Sequence, residues 1–359
     1  MNKILFVTTT KYPKHRADYF QALMTANALA GHGRVTFITQ KDIPDVVFFD
    51  YGISKNDQLL IKTIPFNSFF QKMLFVIRLL FLASLGGYDF IYTREPRLAQ
   101  LIGFFSIKLL IEVHDIDDSI KMIPRRSRIV AITHSLKKNL IKEFGFDEKD
   151  IIVAPDGVII GNFDIPLSKV EAREELNITG DKIIMYAGVF HPWKGAHILA
   201  EAAKELPTFQ FIFVGGERKD IPQQFLEKFS ASNIRIEGIK PHRQIPYYLK
   251  AADILVLPNS ACDDISIYYT SPIKLFEYLA SKRPIVASDL PSIREVLNEK
   301  CSTFFKPDDP VSLAAEIKSL ASSKRRMDEL AANGFEMVRK YSWRSRANSI
   351  IEFMKNFRA

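Results

Sequence analysis

The feature that most constrains this chain is a rhythm of short apolar runs. KILFV, RVTFIT, YDFIYT, LLIEV and SRIVAIT punctuate the first half, and KIIMYAG, FQFIFVGG, ILVLPNS and PIVAS the second. Several are followed by turn residues and a stretch that reads as helix. Runs without polar alternation suit strands buried on both faces, and strands that alternate with helices build parallel sheets. The chain therefore reads as α/β, with helices on both faces of parallel sheets. Its 359 residues leave room for two domains of roughly 150–200 residues each. The expected division is 1–163 and 164–342, changing over after DIIVAPDGV, where Gly157 suits a turn with positive φ. Residues 343–359 read as a terminal helix.

Composition excludes several classes. Two cysteines, Cys262 and Cys301, supply neither a disulfide framework nor metal-ligand spacing, and a reducing compartment is the simpler reading. The chain runs from Met1 directly into an apolar strand and shows no secretory signal pattern. The net charge of +8 is spread over both halves. That fits attraction to anionic substrates or membrane surfaces, and no nucleic-acid partner is expected. No glycine precedes Gly31, so the first strand–helix turn lacks the dinucleotide fingerprint. Residues 66–85 are strongly apolar, but Lys72 and Arg78 keep any uninterrupted run below the ~18–20 residues of a membrane span. Phe69, Phe70, Met73, Val76, Ile77, Leu80 and Phe81 form a helical stripe, read as packed on the sheet; a face lying on a membrane is the second reading.

The stretch YYTSPIKLFEYLASKRPIVASDLPSIREV (268–296) carries the chemistry. Ser271 is an expected cap and Pro272 an expected first helical residue. A helix start after a loop is a ready anion site, to which Ile273 and Lys274 belong. Lys274 adds a cation and Glu277 an acceptor for hydroxyls, a combination that suits a nucleotide-sugar diphosphate. The competing reading is a Lys274–Glu277 pair on a helix surface. Elsewhere, LLIEVHD places Glu112, His114 and Asp115 at a strand end, where open α/β sheets bind ligands. A buried structural role for His114 stands beside that reading. Arg94 and Arg97 follow another strand. Lys11, Lys14, His15 and Arg16 lie in a loop that either meets an acceptor phosphate or is simply solvated. Gly215 ends a strand where backbone can approach a ligand closely. Asp263 and Asp264 read as a solvated turn, so no metal is expected.

The whole pattern resembles the retaining glycosyltransferases of the GT-B fold, family 4 (glycosyl transferases group 1), most strongly from Ile183 to Pro310. The carriers are SP-x-K-x-x-E-Y-x-A at 271–280, Lys194–Gly195 spaced after Gly188, IPYYLKAADILVLPNS at 245–260, the His114–Asp115 pair and PDGV at 155–158. The resemblance implies two Rossmann-like domains facing across a cleft, with the terminal helix 343–359 packing back on the first. It implies a donor held by Gly188, Lys194, Gly238, Ile239 and the 271–274 segment, with Glu277 on the ribose and His114 on the sugar. Lys14, His15, Arg16 and Arg94 fall on the acceptor side. It implies no metal and no cofactor, a saccharide or lipid-linked acceptor, and a cytoplasmic enzyme working at the inner face of a membrane through peripheral contact. The chain departs from the pattern at Val189, where the family has Arg, and at Tyr269, where it has a first Glu. Lys274 is the candidate replacement for the missing Arg. Two rivals stay open: a nucleotide-sugar epimerase or hydrolase on the same fold, and a non-catalytic nucleotide-sugar-binding subunit.

Overall fold

The computed structural model describes residues 2–9, 17–65, 69–103, 108–216 and 232–356. The chain divides into two compact units. The first comprises residues 1–49, 53–156 and 343–359; the second comprises 50–52 and 157–342.

The first unit is built on seven parallel strands: β1 (Asn2–Val7), β2 (Gly33–Thr39), β3 (Leu59–Thr63), β4 (Phe90–Thr93), β5 (Leu109–Val113), β6 (Arg128–Ala131) and β7 (Ile151–Val153). They lie in the order β3-β2-β1-β4-β5-β6-β7. The chain winds outward from β1 to β3, then returns to β4 on the other side, so the switch point falls between β1 and β4. The inner strands are buried on both faces, as their unbroken apolar runs require. The terminal helix Trp343–Lys355 belongs to this unit and packs against the helix Ala17–Leu29. The Trp343 ring meets that of Phe20 edge-on at 6.3 Å.

The second unit holds six parallel strands: β8 (Ile183–Ala187), β9 (Gln210–Val214), β10 (Ile234–Gly238), β11 (Ile254–Leu257), β12 (Ile285–Ser288) and β13 (Thr303–Phe305). Their order is β10-β9-β8-β11-β12-β13, with the switch point between β8 and β11. Two apolar layers sandwich the sheet. One contains Met185, Leu255, Leu275, Phe276 and Leu279; the other contains Leu199, Phe211, Phe213, Leu313 and Ile317. Ser168 opens the helix Lys169–Glu175 with a complete capping box to Glu171.

Two local expectations are corrected. The helix Phe69–Leu85 buries Phe75, Leu79 and Ala83, whereas Phe70, Met73, Ile77 and Phe81 are exposed. Because this helix is apolar nearly all round, its periodicity does not reveal which face meets the sheet. The helix Ile273–Ala280 has Pro272 as its cap residue and no side-chain cap, so Ser271 lies one position outside. Pro272 is extended (φ −72°, ψ 119°), the half-in geometry of a cap.

Candidate functional site

In the second unit, strand ends at the switch point bring three loops together. β8 runs into Gly188, whose amide donates to the Val214 carbonyl at 2.7 Å and whose φ of 148° favours glycine. A side chain at Gly188 would run into the Lys274 ammonium and the Tyr186 hydroxyl. A side chain at Gly215 (φ 118°) would run into the Gly188 backbone. These glycines therefore let the β8 and β9 ends lie against each other and against Lys274. Beyond Gly188, Pro192–Lys194 forms a 3-10 turn, and Gly195 (φ 72°) opens the helix Ala196–Lys204. Lys194 Nζ lies 3.6 Å from the centre of the Trp193 ring. β10 ends at Gly238, whose carbonyl accepts from Gly215 N at 2.8 Å, and Ile239 follows half-buried.

Lys274 is the unusual group. Its Nζ is fully buried and makes no hydrogen bond among the described residues. It stands over the Tyr186 ring, 3.9 Å from the centroid, a cation–π contact without an anion. Burial, reinforced by the nearby Lys194 charge, holds its pKa well below the ordinary lysine range, and Glu277 offsets this only in part. Tyr186 is fixed by donating to the Val189 carbonyl at 2.6 Å. The buried Tyr278 hydroxyl, whose pKa burial raises, accepts from Ala187 N at 2.7 Å. Val189 is exposed and carries no charge, so Lys274 is the cation packed against the Gly188 turn.

Lys274 and Glu277 form no ion pair. Glu277 is buried and bonds through Oε1 to His242 Nε2 at 2.6 Å. His242, on the 3-10 turn His242–Gln244 after β10, also places Nδ1 3.3 Å from the Tyr51 carbonyl. Glu277 pairs with His242 rather than with Lys274, so the competing reading of a Lys274–Glu277 pair on a helix surface is not met. No local pattern in the sequence marks His242, because both its partners are remote in the chain. Tyr269 ends a π-helical turn, Ile265–Tyr269, where the sequence suggested an open loop. Ser271 and Pro272 are buried beside the start of the helix Ile273–Ala280. The amides of Ile273 and Lys274 precede the first bond of that helix, Leu275 N to Pro272 O at 2.9 Å.

In the first unit, His114 follows β5 with about a quarter of its side chain exposed. Its Nε2 bonds Glu112 Oε1. Glu112 is almost wholly buried and takes Arg346 Nη2 at 2.7 Å, the Tyr92 hydroxyl, and Arg94 Nε at 3.5 Å. Burial would raise the Glu112 pKa, but Arg346, His114 and Arg94 outweigh it and hold the carboxyl well below its usual range. Burial and the Arg94 charge lower His114 to about 4, so at neutral pH the ring is uncharged. Arg94 is mostly buried, with Nη2 donating to Gln21 at 3.2 Å and Nη1 to the Asp18 carbonyl. Arg346 also reaches Thr25 Oγ1 at 3.0 Å and the Ala154 and Pro155 carbonyls at 3.2 and 3.1 Å. Sequence reasoning passed over Arg346, although it lies one turn from Trp343 and Ile350 on the apolar stripe of its helix. Lys14, His15 and Arg16, with Lys11, lie outside the described residues.

Residues 181–323 match the family model of glycosyl transferases group 1, a segment that contains Gly188, Lys194, Gly238, His242, Lys274 and Glu277. TuaH of Bacillus subtilis, a glycosyltransferase named for teichuronic acid biosynthesis, is 22% identical over 198 residues, 55% of this chain and 49% of that protein. D-inositol 3-phosphate glycosyltransferase of Segniliparus rotundus is 24% identical over 243 residues, 64% of this chain and 52% of that protein. The chain thus spans about half the length of the curated relatives it matches. Anabaena HepE, solved in complex with UDP and glucose, superposes with a TM-score of 0.80 at 17% identity, covering 99% of this chain and 100% of that one. The two parallel-sheet units have the GT-B fold.

Proposed function

We propose that this chain is a glycosyltransferase that moves a sugar from a nucleotide-sugar donor to an acceptor hydroxyl, with retention at the anomeric carbon. The observation that carries the reading is Lys274: a buried ammonium without an anion, beside Lys194 and the start of the helix Ile273–Ala280, inside the family-matched segment. A buried unpaired charge is costly, and a diphosphate would remove that cost. Lys194 and Lys274 would neutralise charge developing on the departing nucleotide, the role a metal plays elsewhere, so no metal or cofactor enters the proposal. Lys as a point charge replaces the Arg absent at Val189. Gly238 and Ile239 would meet the base, Glu277 the ribose, and the uncharged His114 would bond the sugar through Nδ1.

The acceptor is proposed to be a saccharide or lipid-linked chain of a surface polysaccharide or glycolipid, in keeping with the name of TuaH. Phe70, Met73, Ile77, Phe81 and Leu85, with Arg78 beside them, present an exposed apolar face suited to peripheral contact with the inner face of a membrane. Among the described residues no helix is long and apolar enough to cross a membrane. Val189 and Tyr269 favour a second reading, a non-catalytic subunit that binds the nucleotide sugar. Turnover decides between them. Wild type incubated with nucleotide sugars and a lipid-linked acceptor should release nucleoside diphosphate and glycosylate the acceptor. His114→Ala should cut this by one to several orders of magnitude, each tenfold about 1.4 kcal/mol of barrier, with nucleotide affinity unchanged. Binding without turnover would select the subunit reading, and release of free sugar without transfer the hydrolase.

A further inference from the structure

We propose that His242 is a cationic positioning residue, an imidazolium clamped between the Tyr51 carbonyl and Glu277 that aims the ribose-binding carboxylate. The inference rests on the reading of Glu277 as the ribose acceptor. Its ground is geometric. His242 has an acceptor on each ring nitrogen: the Tyr51 carbonyl at 3.3 Å from Nδ1 and Glu277 Oε1 at 2.6 Å from Nε2. A neutral imidazole has one N–H, so one of these contacts would set a lone pair against an oxygen. The imidazolium satisfies both.

The clamp is braced around the ring. Asn162 Nδ2 donates to the Gly52 carbonyl at 2.7 Å, which fixes the 50–52 segment that presents Tyr51. The Tyr51 and Phe163 rings meet His242 edge-on at 6.3 and 5.9 Å. Among the described residues, the charge facing the ring is that of Glu277, from the helix Ile273–Ala280; the 50–52 and 160–163 segments present a carbonyl and aromatic edges. Burial alone would lower the His242 pKa, but the Glu277 charge, its hydrogen bond and the Tyr51 carbonyl outweigh it and the value is raised. With Oε1 held by His242, and no hydrogen bond to Oε2 among the described residues, Oε2 is the oxygen left to accept from a sugar hydroxyl. A histidine whose pKa is raised supports this arrangement below that pKa and releases it as pH rises through it. Deprotonation frees Glu277 to turn, and ribose recognition weakens.

The test uses the full chain and two readouts. Nitrogen NMR of the ligand-free protein reports each ring nitrogen of His242. Both should be protonated at pH 7, and Glu277→Gln should lower the titration midpoint. An unprotonated nitrogen at pH 7, Nδ1 as in the neutral tautomer or Nε2, would overturn the clamp. Calorimetry then compares UDP, GDP and ADP with their 2′,3′-dideoxy analogues, so that phosphate contacts cancel in the ratio. Wild type should prefer the ribose form by about tenfold, the value of one charge-assisted hydrogen bond. The preference should shrink as pH rises through the His242 titration. In His242→Gln it should be small and flat with pH, with diphosphate binding kept and the melting temperature checked alongside. A pH-independent preference in wild type, or an unchanged one in His242→Gln, would overturn the proposal. If no nucleoside diphosphate binds wild type at all, the proposed function fails, while the NMR readout still decides the clamp.

Discussion

Glu112 and Lys274 are both charged groups in a buried strand-end setting, and they are treated in opposite ways. Glu112 has Arg346, Arg94, His114 and Tyr92 around it, from three separate segments of the first unit. Lys274 has an aromatic face and a second lysine as neighbours. A satisfied polar network rigidifies the residues it joins, whereas a buried charge without a counterion is tolerated only where something else offsets it. The first cluster is complete as folded and holds His114 in a fixed tautomer. The second leaves the Lys274 ammonium without a hydrogen-bond partner among the described residues, and on the proposed function an anion supplies it. A structural cluster and a binding cluster can thus be told apart by which charges are matched within the chain.

The sharpest way to break this contrast is at Arg346. Arg346→Ala leaves Glu112 buried without its principal partner, and thermal or denaturant unfolding should show a loss of about 3–5 kcal/mol. A loss below about 1 kcal/mol would mean that the network is not what secures the terminal helix. The opposite sign is expected at the other cluster. Lys274→Met removes an unmatched buried ammonium, so the ligand-free protein should become more stable by about 1–3 kcal/mol, read from the same unfolding curves. Destabilisation there would show that Lys274 already has its counterion.

The smallest effect belongs to Asp156. Burial raises its pKa to about 6, although Arg346 and the Gln21 bond pull it down. A carboxyl raised in the folded state is most favourable when protonated, so this group's stability contribution declines as pH climbs from about 4 through 6. Asp156→Asn should flatten that part of the pH–stability curve and stabilise by about 1 kcal/mol at pH 7. An unchanged curve between pH 4 and 7 would show that Asp156 is ionised in the fold throughout.

How far these clusters were legible in the sequence depends on the reach of their contacts. Inner strands such as β1, β5, β8 and β11 announce themselves because burial on both faces demands unbroken apolar runs. β3 does not, since LLIKT is an edge strand with an exposed face. The helices Pro96–Ile102 and Lys324–Val338 are also missed. One is short, and the other carries KRRMDEL, whose charges mask a thin buried stripe of Leu330, Gly334 and Val338. Lys274 and Glu277 were visible through their spacing, but their separation into an unmatched cation and a histidine-bound carboxylate was not. That depends on His242 and Tyr51, distant in sequence by 35 residues and far more.

The central claim is that the second unit is an anion site awaiting a nucleoside diphosphate. Isothermal calorimetry of UDP, GDP and ADP with wild type and Lys274→Met tests it most directly. Wild type should bind one of the three, and Lys274→Met should bind it more weakly by about 1.5–3 kcal/mol, the value of a charge-assisted contact, while remaining folded and melting no lower than wild type. Equal affinity in the two proteins, or no binding of any nucleoside diphosphate to wild type, would contradict the account.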